Sequence, residues 1–425
     1  MRRLYGLLTL LLTPLLMAVF LLLSIRQPGY REHLAQRLGR KLPDPGGTDK
    51  TRIWIHAVSV GETLAISPLI ETLLTRRPDL TLLVTSTTPT GAEQVRRLFG
   101  ERVEQAWLPL DSPGAVARCL DHWRPTVLVL VETELWPQLI HQCRRRGIKT
   151  LLLNARLSAR SLRRYARLGS LARNSIAELD HIACQHAADA RRFRWLGADA
   201  GKVSVAGTLK FDIAIGALEG QRDALALDLG TRLSGRPVFL AASTHTGEDA
   251  SVIEAFKALR QRLPNCVLWL APRHPSRSGE ILELLQAAGL PTITRSSGAS
   301  ISDETEVLLI DTLGELAAFT GLASVVFIGG SLVPHGGHNP LEALVFGKPV
   351  LTGPHTDNFA TLYRDMEKAH VVTRVGAADE LSEATANNLT TAARDHFAQA
   401  GPDFVDARRG ALEIQYTRLE QALQP

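Results

Sequence analysis

Aromatic residues are scarce, at 5% of 425 positions, and there are only four cysteines. Cys119, Cys143, Cys184 and Cys266 lie far apart with no Cys-x-x-Cys pair. That excludes a zinc knuckle and a disulfide framework and leaves reduced thiols. No Gly-x-Gly-x-x-Gly follows the first soluble strand with an acidic residue about twenty positions on, as a dinucleotide-dependent oxidoreductase requires. Also missing are an Asp-x-Asp pair, any internal repeat and any low-complexity segment. The formal charge is only +5. Such an excess suits an anionic surface or ligand and does not argue for nucleic acid.

What is present is a globular balance, 45% hydrophobic and 21% charged, over a length that predicts two domains with separate cores. From Leu4 to Leu23 the chain is almost wholly apolar, and about twenty such residues span a bilayer core. No small-x-small cleavage site follows, so the stretch reads as a retained anchor (1-25) rather than a signal peptide. Arg26, Arg31, Arg37, Arg40 and Lys41 come next, against Arg2 and Arg3 before it. The charge bias favours a single-pass anchor with the remainder of the chain in the cytoplasm and a basic stretch (26-50) lying on anionic lipid.

After Pro43 to Gly47, short apolar runs alternate with helical patterns. Strands are predicted at Arg52–Ala57, Leu80–Thr85, Thr126–Val131, Thr150–Asn154, His181–Gln185 and Val203–Ala206. Runs such as Val127–Val131 are continuous, as parallel strands buried on both faces require. A second series follows the polar linker 219-236: Pro237–Ala242, Cys266–Ala271, Pro291–Thr294, Glu306–Ile310, Ser324–Ile328 and Pro349–Thr352. The fold class is therefore α/β, with an N-terminal domain at 51-218 and a C-terminal domain at 237-425 that includes a C-terminal helix. Two such domains facing a cleft would carry their chemistry in the loops after the strands.

One such loop, His335 to Pro349, opens into a short helix. Gly336 and Gly337 permit close backbone approach, Asn339 can cap a helix beginning at Pro340, and the first amides face an anion. Glu342 in the first turn can hold two vicinal sugar hydroxyls, so a nucleotide-sugar is the natural ligand; an ordinary capped helix is the plain alternative. Glu62 lies at a helix start after the first soluble strand, either as a cap or as a general base, and near the helix N-terminus it should stay ionised. Glu132 and Glu134 end an apolar strand that does not need them. Lys210 past Gly207 can neutralise charge in a transition state, although a lone lysine is usually solvated surface. The Ser243–Glu248 loop and Arg273 with His274 can reach a phosphate. His335, His338 and His355 have a metal-like spacing on a glycine loop too flexible to fix ligands. Arg156, Arg160, Arg163, Arg164, Arg167 and Arg173 form either a solvated helix face or a site for lipid phosphates.

The segments His56–Glu62, Val131–Pro137, Asn154–Ser158, Gly207–Asp212, Ala271–Pro275 and His338–Glu342 together resemble the bacterial 3-deoxy-D-manno-octulosonic acid (Kdo) transferase family, in order over nearly the whole chain. The resemblance implies a GT-B glycosyltransferase fold of two Rossmann-like domains, an inner-membrane anchor with the catalytic domains on the cytoplasmic side, and transfer of Kdo from CMP-Kdo to a lipid A precursor (lipid IVA) with release of CMP. It implies Glu62 as proton acceptor and Glu132 and Lys210 as transition-state stabilisers. CMP contacts would fall to Pro272, Arg273, Leu313, Gly314, Glu315, Asn339, Pro340, Leu341 and Glu342. No cofactor, metal or nucleic acid is called for. A membrane-tethered lipid-binding module would explain the anchor and arginines but not the nucleotide cradle, and another GT-B enzyme using a UDP-sugar is the alternative within enzymes.

Overall fold

The computed structural model describes residues 1–25, 27–45, 51–212, 215–229 and 235–424. Arg26 of the basic stretch, Gly46 and Gly47 of the first linker, and residues 230–234 of the second lie outside them. The chain divides into two units, Met1–Ile213 with Arg408–Pro425, and Ala214–Ala407.

The first unit is built on β1 (Arg52–His56), β2 (Thr81–Ser86), β3 (Glu104–Trp107), β4 (Val127–Val131), β5 (Lys149–Ala155), β6 (His181–Cys184) and β7 (Val203–Val205). They form one parallel seven-stranded sheet in the order β3-β2-β1-β4-β5-β6-β7. The central β4 is buried at every residue, which is why its sequence is an uninterrupted apolar run. Trp54, Leu128, Leu130 and Leu152 contribute to one apolar cluster; Ile53, Ile55, Val127 and Val129 contribute to another. Alternate residues of each strand thus serve different cores.

The second unit repeats the plan with β8 (Val238–Thr244), β9 (Val267–Pro272), β10 (Thr292–Thr294), β11 (Val307–Leu309), β12 (Val325–Ile328), β13 (Val350–Thr352) and β14 (Thr373–Arg374). Its parallel sheet runs β10-β11-β9-β8-β12-β13-β14. The sequence pattern misses β3 and β14, each the outermost strand on one side of its sheet. An edge strand lacks a second neighbour and need not be continuously apolar; β3 reads Glu-Gln-Ala-Trp, and β14 is two residues long.

The predicted division differs from the structure at both ends of the second domain. Much of the expected linker is helix, Ile215–Leu229. The C-terminal helix Ala411–Leu423 belongs to the first unit. Asp212 accepts hydrogen bonds from the Gly410 and Leu412 amides at 2.9 and 3.0 Å, and Gln415 accepts one from Asn154 N at 2.7 Å. Ala411 and Leu419 join the same apolar cluster as Ile66, Leu69 and Leu73.

The N-terminal helix α1 (Arg2–Leu23) is long and apolar enough to cross a membrane. One expectation for the basic stretch beside it is corrected. Arg37 is only 1% exposed and does not lie on lipid. Its guanidinium sits over the Phe20 and Trp107 rings at 4.1 and 4.4 Å and donates to the Thr87 carbonyl at 2.8 Å, a burial that aromatic faces and a backbone acceptor make tolerable.

Candidate functional site

Ser59 caps the helix Val60–Arg76, and Glu62 occupies its first turn. The Glu62 carboxylate reaches back to accept the Val58 amide at 2.7 Å. The capping alternative is therefore real, and it leaves the second carboxylate oxygen for chemistry. Ionisation departs from expectation. Burial pushes the Glu62 carboxyl up to about 8, assisted by Glu134 and Glu132 and opposed by the Val58 amide. The helix N-terminus favours a carboxylate by well under what desolvation removes. Glu134 is likewise pushed up to about 7 by burial, with Glu132 adding to it.

Glu132 directly follows β4 with φ 60°, a left-handed conformation rare for a side chain of its size. Its amide donates to the Leu153 carbonyl at 3.0 Å, and its carbonyl accepts from Arg156 N at 3.2 Å. Asn154 (φ 49°), towards the end of β5, and Ser243 (φ 59°), towards the end of β8, share this conformation. Such backbone is retained where the surroundings over-determine it, often at functional sites. No sequence signal marks it. Asn154 is fully buried, and its Oδ1 accepts the Leu209 amide at 3.3 Å, tying β5 to the short helix Leu209–Phe211 that carries Lys210. That helix packs against the one bearing Glu62. The first unit thus gathers Glu62, Glu132 and Glu134, with the Lys210 helix packed beside them.

In the second unit Pro272 ends β9, and the Arg273 amide donates to the Thr244 carbonyl at 2.9 Å. Leu313 is 70% exposed and Gly314 has φ 91°, while Glu315 pairs with Arg295 at 2.8 Å, which holds its carboxyl below the usual range. The helix after His338 begins at Leu341, one residue later than expected, and ends at Val345. The cap position falls to Pro340, which has no side-chain cap hydrogen bond, and Asn339, one residue earlier, accepts the Leu341 amide at 3.3 Å. A single turn this short contributes little macrodipole, so its first amides, not a long helix, would meet an anion. Glu342 borders a small cavity with Ser243, His338 and Asn339, and burial raises its carboxyl. Gly336 has φ 90°, and a Cβ there would meet the Asn358 side chain at 2.6 Å.

Sequence reasoning missed what holds this loop. Glu248, expected in a phosphate-reaching segment, turns inward and is fully buried. It accepts hydrogen bonds from the amides of Gly330, Ser331 and Leu332 at 2.6, 2.9 and 2.8 Å and from His245 N at 2.9 Å. The histidines also pair differently from their spacing. His338 Nε2 lies 2.9 Å from His245 Nε2, and His335 stacks on His245 at 4.1 Å. Burial, with His245 and Arg273 nearby, brings His338 down to about 4. Among the described residues no group of three or more His, Cys, Asp or Glu side chains could hold a metal ion.

The arginine-rich segment forms the helix Ala159–Arg167, with Arg160, Arg163, Arg164 and Arg167 exposed. Tyr165 anchors it by donating to the Thr133 carbonyl at 2.8 Å, between Glu132 and Glu134 in sequence.

Two Rossmann-like units in tandem, each a seven-stranded parallel sheet, define the GT-B class of fold. A UDP-GlcNAc 2-epimerase from Neisseria meningitidis shares it, with a TM-score of 0.58 at 12% identity over 88% of this chain and 99% of that one. A family model described as 3-Deoxy-D-manno-octulosonic-acid transferase (kdotransferase) matches residues 32–213. The 3-deoxy-D-manno-octulosonic acid transferase of Haemophilus influenzae is 37% identical over 99% of this chain and 97% of its own length. That of Bordetella pertussis is 39% identical over 91% and 90%. The chain belongs to the 3-deoxy-D-manno-octulosonic acid transferase family and is a glycosyltransferase.

Proposed function

We propose that the protein transfers Kdo from CMP-Kdo to a lipid A precursor, lipid IVA, with release of CMP and inversion at the anomeric carbon, as a step of lipopolysaccharide inner-core synthesis at the cytoplasmic face of the inner membrane. The observation that carries this reading is the half-buried Glu62 carboxyl at the start of its helix, which desolvation pushes up to about 8, in a chain of the Kdo transferase family. A carboxylate of that basicity is far better matched to a general base at neutral pH than an ordinary glutamate. Glu62 takes the proton from the acceptor hydroxyl as its oxygen bonds to the anomeric carbon, and the bond from that carbon to the phosphate oxygen breaks with its electron pair leaving on CMP. Glu132 and Lys210 stabilise the transition state, Lys210 by countering the charge that develops on the departing phosphate. In the second unit Arg273 meets the CMP phosphate, Leu313 to Glu315 border the base, and Asn339 to Glu342 hold phosphate and ribose. The exposed arginines of Ala159–Arg167 take the acceptor's phosphates, which suit bidentate guanidinium pairing.

The test is incubation of the purified protein with CMP-Kdo or UDP-sugars and lipid IVA. Mass spectrometry should show addition of Kdo with stoichiometric CMP, and the product's anomeric configuration should be opposite to the donor's. Transfer from a UDP-sugar but not from CMP-Kdo would replace this reading with its alternative.

A further inference from the structure

The N-terminal turn of α1 is fastened to the first unit. Arg2 pairs with Glu178 at 2.9 Å and lies 2.7 Å from His141 Nδ1. Tyr5 donates to Asp111 at 2.9 Å, and the same buried carboxylate accepts the Gln138 and Leu139 amides. Gly6 is buried, and a Cβ there would lie 2.7 Å from the Gln138 side chain and 3.0 Å from Pro113. The other end is held as well, by Phe20 beneath Arg37. Between the ends, Thr9, Thr13 and Met17 continue a half-buried stripe, while Leu4, Leu7, Leu11, Leu15 and Leu22 are each more than half exposed.

A helix crossing a bilayer away from the unit would carry Arg2 and Tyr5 about 30 Å away from Leu23, the thickness of the hydrocarbon core, and would lose the contacts of Arg2, Tyr5 and Gly6, although Phe20 near the other end could keep its place beneath Arg37. We propose that α1 does not cross the bilayer but lies lengthwise between the first unit and a single leaflet of anionic phospholipid, with its N-terminus on the same side as that unit. The helix divides accordingly. Of its polar residues, Arg2, Tyr5, Thr9 and Thr13 fall on the half-buried stripe and only Arg3, at the very start, is exposed, while the leucines face outward, so the protein supplies the polar side that an in-plane helix requires. A helix about 10 Å across fits within one leaflet, about half of the 30 Å core. Charge selects the anionic lipid. Arg160, Arg163, Arg164 and Arg167 are exposed on the helix that Tyr165 ties to Thr133, just before the helix Pro137–Arg145 on which Gly6 sits, and they complement anionic headgroups. The inference does not depend on which sugar is transferred.

The test uses membranes containing the full chain, whose four native cysteines are buried and silent. Arg3→Cys and, as a reference on the first unit, Ala200→Cys are treated with a membrane-impermeant maleimide in spheroplasts and in inverted vesicles. Both should label from the same side, with at least a tenfold preference; labelling from opposite sides overturns the proposal. Independently, Leu4→Trp, Leu11→Trp and Leu22→Trp are reconstituted in phosphatidylglycerol vesicles carrying bromine at defined acyl depths. Equal quenching depths are expected. A central maximum at Leu11→Trp, the signature of a spanning helix, or no quenching at any position, the signature of a flank covered by another protein copy, overturns it.

Discussion

Glu62 accepts the Val58 amide at 2.7 Å and still has its carboxyl raised to about 8, so one side chain both closes a helix end and holds a proton near neutrality. A general base must lose that proton first. Below about 8, kcat/KM should rise close to tenfold per pH unit and then level, the limiting value belonging to the coupled Glu62 and Glu134 carboxyls together. A limb that levels already near pH 5 would show an ordinary carboxylate and contradict the desolvation of Glu62. Glu62→Gln keeps an acceptor for Val58 and abolishes basicity, so turnover should fall by several orders of magnitude with CMP affinity nearly unchanged.

The same shift has a cost in stability with a definite sign. The folded-state value lies above that of the free side chain, 4.5. Between those two values the unfolded chain releases the proton that the native chain retains, so stability falls as pH rises through the window. Glu62→Gln should therefore raise the thermal midpoint relative to wild type at pH 8 and leave it unchanged at pH 4. Calorimetry at the two pH values decides, and a variant less stable at pH 8 would contradict the burial argument.

Much of this was legible in the sequence because central strands of a parallel sheet are buried on both faces. Val127–Val131 and Val267–Leu270 announce themselves, and the loops after them hold Glu132, Arg273 and the carboxylates that the motifs single out. What stayed hidden depends on tertiary burial or on an edge. Glu104–Trp107 and Thr373–Arg374 are edge strands with no continuous apolar run. The ionisation of Glu62 departs from expectation because desolvation in the folded unit, with the Glu134 and Glu132 charges beside it, outweighs the helix terminus. Glu248, three residues after His245, gives no sign that it will collect three consecutive amides from 82 to 84 positions away.

Donor binding should depend on the second unit. Glu342→Ala removes the carboxylate proposed to hold two ribose hydroxyls, and loss of two charge-assisted hydrogen bonds in a desolvated site costs on the order of 2 to 4 kcal/mol. Arg273→Ala should weaken CMP as well. Calorimetric titration giving wild-type affinity in both variants would rule out this placement.

The C-terminal helix should stabilise the first unit. Asp212 accepts two amides at its start, Gly410 and Leu412, and removing a side-chain cap typically costs about 1 to 2 kcal/mol. Asp212→Ala should lower stability by that order. Deleting residues 408–425 should cost more, because it also strips Leu419 from the apolar cluster of Leu69 and Leu73. Hydrogen exchange should show protection lost from the helix Val60–Arg76 and from β5; loss confined to the second unit would contradict the assignment of this helix.

The arginine face gives the most direct test of acceptor recognition. Arg163, Arg164 and Arg167 are exposed on a helix anchored by Tyr165 and Leu162, so replacing the three by alanine leaves the buried side of the helix intact. Multiple phosphate contacts weaken together when guanidinium groups are lost. The triple variant should need at least tenfold more lipid acceptor for half-maximal rate in detergent, where membrane recruitment plays no part, while its CMP affinity stays within twofold of wild type. Added salt should narrow the difference, because it screens the wild-type contacts that the variant already lacks. Unchanged acceptor dependence in detergent would make these side chains a solvated face and move acceptor recognition elsewhere on the first unit.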